Sequence, residues 1–352
     1  MKETVNSGRL DYFDIAKGLA MFCVIAGHMG MAQTFNPFAF SFHMPLFFLI
    51  SGYFYKNDAA KVLRNTKRLL TAYLWTVLAV IILSEVMPLA KVMLRGDDVI
   101  SLAKVAGHWA LAGLYGSGAR GDCLGMHLPA IGAVWFLLAL AWGGYFLLII
   151  NKLQRSSHRL AACLPVFLAG WLSAKWTWLP LSIQSGMCAT LFLFVGYKAR
   201  TYRRPEARRI LLPVSAAIWG VALYLGYTNG YMEIALCRFP NVIVNVAGGI
   251  FGTYVVIRIS RWVEKIGRGA AYRFLLFWGR NTLIVLCAHL AELNCVPWWR
   301  IVRPFVDNQS ICLAIIFCLK VLWAALAILL INKYKCLINK RKATSAGPQN
   351  PS

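Results

Sequence analysis

Residues 9–28 read RLDYFDIAKGLAMFCVIAGH, an apolar stretch that carries Asp14, Lys17 and His28 inside it. A transmembrane helix needs about 20 mostly apolar residues to cross a bilayer, and the run that begins here is long enough. Ionisable side chains are expensive in lipid unless they face a cavity or a partner. The stretch therefore predicts a membrane helix with one functional face.

The spacing of these side chains places them on that face. Lys17 and His28 are eleven residues apart, so their directions around a helix differ by only about 20°, and Asp14 lies about 60° from Lys17. At about 1.5 Å per residue, His28 lies roughly 16 Å farther along the axis. The alternative is that Lys17 snorkels to the interface while His28 hydrogen-bonds to a neighbouring helix.

The rest of the chain has the composition of a membrane protein. Of 352 residues, 59% are hydrophobic and 14% are charged, and the mean hydropathy is +0.60, which excludes an ordinary soluble globule. We predict an all-α, polytopic integral membrane helical bundle of about ten transmembrane helices, with segment 99–116 lying on the surface or re-entering. The predicted spans are residues 14–32, 38–55, 69–90, 128–150, 160–176, 181–199, 210–227, 241–259, 274–293 and 310–332.

The net charge of +24 is explained by topology. With the N-terminus inside, the predicted cytoplasmic segments hold 26 of the 37 Lys and Arg residues, and the outer loops hold eight. This asymmetry predicts that both termini are cytoplasmic. No Lys/Arg-rich soluble domain is present, so we expect the lipid bilayer as a partner and no nucleic acid.

The organisation is expected to be simple. Residues 1–340 are predicted to form a single transmembrane domain and residues 341–352 a disordered C-terminal tail. We expect no removable signal peptide. The ten cysteines form no CxxC pair and lie mostly in apolar runs, so they are read as small buried hydrophobes, with no metal site.

Two further segments carry polar candidates early in the chain. In FSFHMPLFFLISGYFY (residues 40–55), His43 is expected near the outer start of the second span, as a neighbour of His28 or as an interfacial cap. In RNTKRLL (residues 64–70), Arg64, Lys67 and Arg68 are spaced i, i+3, i+4 and form one basic face. That face suits phosphate groups, positive-inside charge or anionic lipid.

A third segment, WGRNTLIVLCAH (residues 278–289), repeats the depth pattern of the first span. Arg280 and Asn281 are expected near the cytoplasmic side, and His289 about two turns outward. A helix–helix hydrogen bond or a snorkelling side chain is the alternative for each. We read Glu292 as an acid near the membrane interface.

Together these segments resemble acyltransferase family 3, a group of integral membrane proteins that includes the fucose acetylases and the enterobacterial common antigen acetylase. AVWFLLAL (residues 133–140) and LFLFVGYKAR (residues 191–200) extend the similarity over most of the chain. Lys17 and His28 match the family's basic residue, ten residues, then histidine. Its basic pair spaced by three is met by Arg64 and Lys67, whereas Ala72 stands where a proline is usual.

The resemblance implies a membrane-bound O-acyltransferase. It would move an acyl group, most often acetyl from acetyl-CoA as co-substrate, to a hydroxyl of a carbohydrate or lipid-linked glycan, in the cytoplasmic (inner) membrane of a bacterium. No tightly bound cofactor is expected. The alternatives are a secondary transporter or flippase and a non-catalytic membrane partner or sensor. Within the enzyme class, the alternatives are a succinyl donor or a non-sugar alcohol as acceptor.

The resemblance also suggests roles for the candidate residues. His28 would be the general base, with Lys17 and Asp14 as its catalytic companions and an acyl-enzyme through His28 as the other route. Asp14 would pair with Lys17. The extended pantetheine arm of CoA can reach over a distance like that from Lys17 to His28. The CoA-binding candidates are Arg64, Lys67, Arg68, Arg280 and Asn281, and the candidates for acceptor contact or for orienting His28 are His43 and His289.

Overall fold

The computed structural model describes residues 10–345 apart from 32, 87, 90–92, 94–99, 119–120, 124–125, 202–207 and 268. Within this part of the chain the fold is helical, as predicted. Its helices are α1 Asp11–Gly27, α2 Asn36–Phe40, α3 His43–Tyr53, α4 Ala59–Ser84, α5 Ile100–Tyr115, α6 Trp135–Ile150, α7 Ser156–Ser173, α8 Ile183–Ala199, α9 Arg208–Asn229, α10 Val242–Ile266, α11 Ala270–Arg280, α12 Thr282–Cys295, α13 Trp298–Val302 and α14 Gln309–Ser345.

Short irregular elements complete the described chain. Strands β1 Gly121–Cys123 and β2 Met126–Leu128 pair antiparallel, with Gly121 opposite Leu128. Single 3₁₀ turns cover Pro180–Ser182, Ile234–Leu236 and Arg303–Phe305. None of these elements interrupts the helical bundle.

The helices confirm an all-α membrane protein. Among the described residues, five helical segments are long and apolar enough to cross a membrane: Ala59–Ser84, Pro180–Ala199, Ile210–Asn229, Val242–Ile266 and Gln309–Asn339. The pair α11 and α12, bent by 76°, would make a sixth. The count of about ten spans and the cytoplasmic termini stay predictions.

Several predicted spans are shorter or broken as helices. The second predicted span, 38–55, is divided between α2 and α3, and α1 and α6 are only 17 and 16 residues long. A helix of that length reaches about 25 Å, less than the hydrocarbon thickness of about 30 Å. These short helices border the interior cavity described below.

Glycines bring α1 and α11 into backbone contact. A Cβ atom on Gly279 would lie 1.6 Å from the carbonyl oxygen of Asp14, and one on Gly18 would lie 2.4 Å from that of Leu275. Only glycine permits this approach, as in other close helix–helix contacts in membranes. The contact holds the first turns of α1 beside the end of α11.

The same device joins α3 to α8. A Cβ on Gly52 would lie 2.0 Å from the carbonyl oxygen of Leu193, and one on Gly196 would lie 2.0 Å from that of Leu49. The two glycines come from the segments SGYFY and FVGYKAR, and each meets the backbone of the other's helix. Their presence in both segments is thus explained by packing.

The end of the chain and the cysteines also bear on the predictions. The last helix continues to Ser345, and residues 346–352 of the predicted tail lie outside the described residues. The nine cysteines whose side chains the structure describes are free thiols. Seven are buried or half-buried, as expected, whereas Cys318 and Cys336 on α14 are exposed.

Candidate active site

A cavity of about 600 Å³ runs between α1, α3, α4, α6 and α12. Lys17 and Arg68 line it at one end, which we call the lysine end, and His28 and His43 line it at the other, the histidine end. Helices α1 and α3 run antiparallel along it, because Phe13 at the start of α1 contacts Phe54 at the end of α3, with ring centroids 5.3 Å apart. The predicted sharing of one face by Lys17 and His28 is therefore confirmed.

His28 is the accessible histidine of this cavity. It follows the last residue of α1, and the residue as a whole is exposed and lines the cavity, whereas His43 is only 2% exposed. The His28 Nδ1 atom lies 2.7 Å from the carbonyl oxygen of Val24. Because a carbonyl only accepts, Nδ1 carries the proton in the neutral ring, which leaves the Nε2 lone pair free. This is the arrangement that a general base requires.

His43 is held in the same way at the start of α3. Its Nδ1 donates to the carbonyl oxygen of Ala39 at 2.5 Å, and the ring meets Phe40 edge-on with centroids 4.8 Å apart. The side chain lines the cavity although it is almost fully buried. His43 is therefore fixed in orientation and contributes a small polar surface to the histidine end.

Charges of both signs alternate at the lysine end. Lys17 Nζ lies 2.7 Å from Asp14 Oδ1, which confirms the predicted pairing. Arg280 lies 3.0 Å from Asp11 Oδ1 and 3.8 Å from Asp14 Oδ2, and the Tyr272 hydroxyl donates to Asp11 at 2.6 Å. Asp14 holds Lys17 at the cavity wall while the Lys17 ammonium keeps other donor positions for a ligand.

The family model described as an acyltransferase domain, that of acyltransferase family 3, matches residues 10–330. The chain belongs to acyltransferase family 3. Comparison with curated proteins and with solved structures returned no match. The protein is thus a membrane acyltransferase, and the matched region contains the whole wall of the cavity.

The three residues of the basic face do not all line the cavity. Arg64, Lys67 and Arg68 all lie on α4, as the spacing predicted, but only Arg68 lines the cavity, and the other two are exposed outside it. The cavity-facing positions also include Asn65 and Thr66, which sequence reasoning missed. The helical spacing could have identified them, because i, i+3, i+4 relations place Asn65 and Thr66 on the same face of α4 as its apolar residues.

The candidates of the late segment lie beside the cavity. Neither Arg280 nor Asn281 lines it. Asn281 stands at the bend between α11 and α12, where its Nδ2 donates to the carbonyl oxygen of Phe277 at 2.8 Å. Thr282, the next residue, does line the cavity. The bend therefore turns α12 along the wall and brings its first residues into the site.

His289 lies behind His28 in the acyltransferase, in a group that we call the buried ion cluster: His289, Glu292, Trp298 and Lys320. The rings of His28 and His289 meet edge-to-face with centroids 5.2 Å apart. His289 Nδ1 lies 2.7 Å from Glu292 Oε1, Lys320 Nζ lies 2.8 Å from both carboxylate oxygens, and Trp298 Nε1 donates to Oε2. Glu292 is fully buried, and Lys320 is 5% exposed.

The buried ion cluster gives Glu292 partners that the sequence analysis did not predict. Its carboxylate receives donors from two other positions on the chain and from His289 one turn away, so its charge is paired inside the bundle. The ring of His289 is thereby fixed against His28 and does not line the cavity. His289 thus contacts the ring of His28 and is not among the described residues that line the cavity.

Proposed function

We propose that this acyltransferase moves an acetyl group from acetyl-CoA to a hydroxyl of a cell-envelope or exported carbohydrate, with His28 as general base. The observation that carries the proposal is the single cavity that joins the cationic side chains Lys17 and Arg68 to the exposed imidazole of His28. A polyanionic donor and a hydroxyl acceptor need these two chemistries at opposite ends of one passage.

The lysine end suits the phosphates of CoA. Lys17 and Arg68 supply ammonium and guanidinium donors, which form charge-assisted hydrogen bonds with phosphate. Arg64 and Lys67, exposed on the same helix, raise the local concentration of a polyanion before it enters. Between the ends the wall is mainly apolar, with Phe47 and Leu140 among its residues, which suits a pantetheine arm reaching about 16 Å.

The chemistry at the histidine end follows from the free Nε2 of His28. This atom takes the proton of the acceptor hydroxyl while the hydroxyl oxygen bonds to the thioester carbon and the carbon–sulfur bond breaks. The imidazolium then returns the proton to the departing CoA thiolate. The Nδ1 hydrogen bond to Val24 holds the ring, and His289 packs against it, so little reorganisation is needed.

The topology completes the proposal. The lysine end would face the cytoplasm, where acyl-CoA is available, and the histidine end would face the outer side of the inner membrane of a bacterium. This orientation is the one that the Lys and Arg distribution favours over ten spans. Residues 1–340 would then form one catalytic domain.

The test is acetyl transfer from radiolabelled acetyl-CoA to cell-envelope glycan in membranes carrying the native chain or His28→Ala. Loss of the general base is expected to lower labelling by about 10²- to 10⁴-fold. His108→Ala is the matched control, because His108 is exposed on α5 outside the cavity wall. Equal labelling by the native and His28→Ala chains, at equal protein level, would remove His28 from the chemistry.

A further inference from the structure

An acidic side chain enters the histidine end from the loop 230–241, which joins α9 to α10. Glu233, Ile234 and Ala235 of this loop line the cavity. Among the cavity-lining residues that the structure describes, Glu233 is the only acid. Its charge is therefore opposite to that of Lys17 and Arg68, which line the lysine end.

The loop is built as a rigid support. The backbone N–H of Glu233 donates to the carbonyl oxygen of Arg238 at 2.9 Å, and that of Arg238 donates back at 3.0 Å. A 3₁₀ turn, Ile234–Leu236, closes the loop, and Ser185 on α8 donates to the carbonyl oxygen of Ala235 at 3.3 Å. Because the backbone on both sides is tied down, the position of Glu233 is fixed.

Ring contacts place this loop beside the two histidines. The ring centroid of Tyr231 lies 5.2 Å from that of Phe40, and Phe40 lies 4.8 Å from His43. Phe40 also packs against Gly27, where an added Cβ would come within 3.0 Å of its ring. Gly27 directly precedes His28, so the loop and the proposed general base belong to the same end of the cavity.

Only one of the two oxygens of the Glu233 carboxylate has a hydrogen-bond partner among the described residues. Oε2 accepts a hydrogen bond from Arg238 Nη2 at 3.0 Å, whereas Oε1 has no hydrogen-bond partner within the described part of the chain. Burial raises the pKa of Glu233, and the opposing effect of Arg238 is smaller. Arg238 does not line the cavity, so the carboxylate is the charge that a ligand meets there.

We infer that Glu233 is an acceptor-binding residue whose Oε1 accepts a hydrogen bond from a hydroxyl of an uncharged sugar and whose charge disfavours acidic sugars. This inference rests on the proposed transfer to a carbohydrate. Carboxylates are acceptors only, and a hydroxyl is the donor that such a ligand offers. A carboxylate on an acidic sugar would face the like charge of Glu233. The aromatic rings of Phe40 and Trp135, which also line the cavity, offer flat apolar surfaces for the sugar ring.

The test uses purified full-length protein, radiolabelled acetyl-CoA, and methyl hexopyranosides or a methyl hexopyranosiduronic acid as acceptors. For Glu233→Gln, the KM for the neutral glycoside is expected to rise at least tenfold, as loss of a hydrogen bond to a charged group implies. The KM for acetyl-CoA should stay within twofold, and the preference for the neutral over the acidic glycoside should fall. Glu264→Gln is the matched control, because Glu264 does not line the cavity.

A second variant separates the effect of the carboxylate charge from the effect of a change in structure. Glu233→Asp keeps the charge on a shorter side chain, so rejection of the acidic glycoside should be retained while the KM for the neutral one rises. An unchanged glycoside KM in Glu233→Gln overturns the inference. So does a native protein that hydrolyses acetyl-CoA without using any of the neutral glycosides. A native protein that turns over no acetyl-CoA overturns the proposed function instead, and the inference with it.

Discussion

Replacing Glu292 by glutamine removes the only charge that the structure shows paired with Lys320. Lys320 Nζ lies 2.8 Å from both carboxylate oxygens, and its side chain is 5% exposed. His289 Nδ1 donates to the same carboxylate at 2.7 Å. The variant keeps the shape of Glu292 but leaves an ammonium buried beside an amide.

The size of the effect follows from the burial. Removing one partner of a buried ion pair costs about 3–5 kcal/mol, because the other charge is left without compensation. Domains are stable by only about 5–15 kcal/mol, so this loss is a large part of the total. The double variant Glu292→Gln, Lys320→Gln removes both charges and should recover at least half of the loss.

The assay is unfolding in mixed detergent micelles, followed by loss of helical signal, for the native, single and double variants. Glu264→Gln serves as the control and should change the free energy of unfolding by less than about 0.5 kcal/mol, as surface substitutions usually do. A loss below about 1 kcal/mol in Glu292→Gln, or a double variant no more stable than the single one, would refute the argument that the buried ion cluster is a paired charge network.

Three further outcomes are expected. Gly279→Ala should lower the free energy of unfolding by about 1–3 kcal/mol or more, because the added Cβ meets the backbone of α1. Gly220→Ala, with nothing within 4 Å of the added Cβ, should raise the free energy of unfolding by about 0.5–1 kcal/mol, and chemical unfolding measures both. Arg68→Ala should raise the KM for acetyl-CoA more than Arg64→Ala does, since only the first side chain lines the cavity, and initial rates decide this. The KM for a neutral glycoside should rise as the pH falls through the raised pKa of Glu233. This rise should begin at a higher pH than it would for an ordinary carboxyl, whose pKa is about 4.3, and the pH profile of Glu233→Gln should lack it.

The face of α1 could be predicted because helical geometry alone decides it. Lys17 lies on α1 and His28 directly follows its last residue, so helical spacing fixes their relative direction whatever packs around them. The pairing of Asp14 with Lys17 is equally local, at i and i+3. Both predictions depended on nothing beyond the helix itself.

The sequence could not predict which residue of the basic face lines the cavity, because the packing of the neighbouring helices decides it. The spacing of Arg64, Lys67 and Arg68 was right, but their relation to the cavity depends on how α4 packs. Thr66 and Leu69 are buried on the inner side of α4, which leaves Arg68 at the cavity edge and the other two outside.

The partners of Glu292 and the placement of Glu233 could not be predicted for a related reason. Glu292 meets Lys320, which lies 28 residues away on another helix, so no local pattern links them. Glu233 belongs to a loop without periodicity, and its direction is set by contacts with α2 and α8 that a sequence does not show. The polar residues of one helix are readable from spacing, whereas those brought together by packing are not.

The most direct test of the account is a single turnover by purified protein with prebound radiolabelled acetyl-CoA, in the native and His28→Gln forms. The account predicts that both forms bind equal amounts of acetyl-CoA, because the donor phosphates lie at the lysine end. It also predicts that acetyl transfer to the acceptor is slower in His28→Gln by about 10²- to 10⁴-fold. Equal transfer rates in the two forms would contradict the role of His28 as the general base.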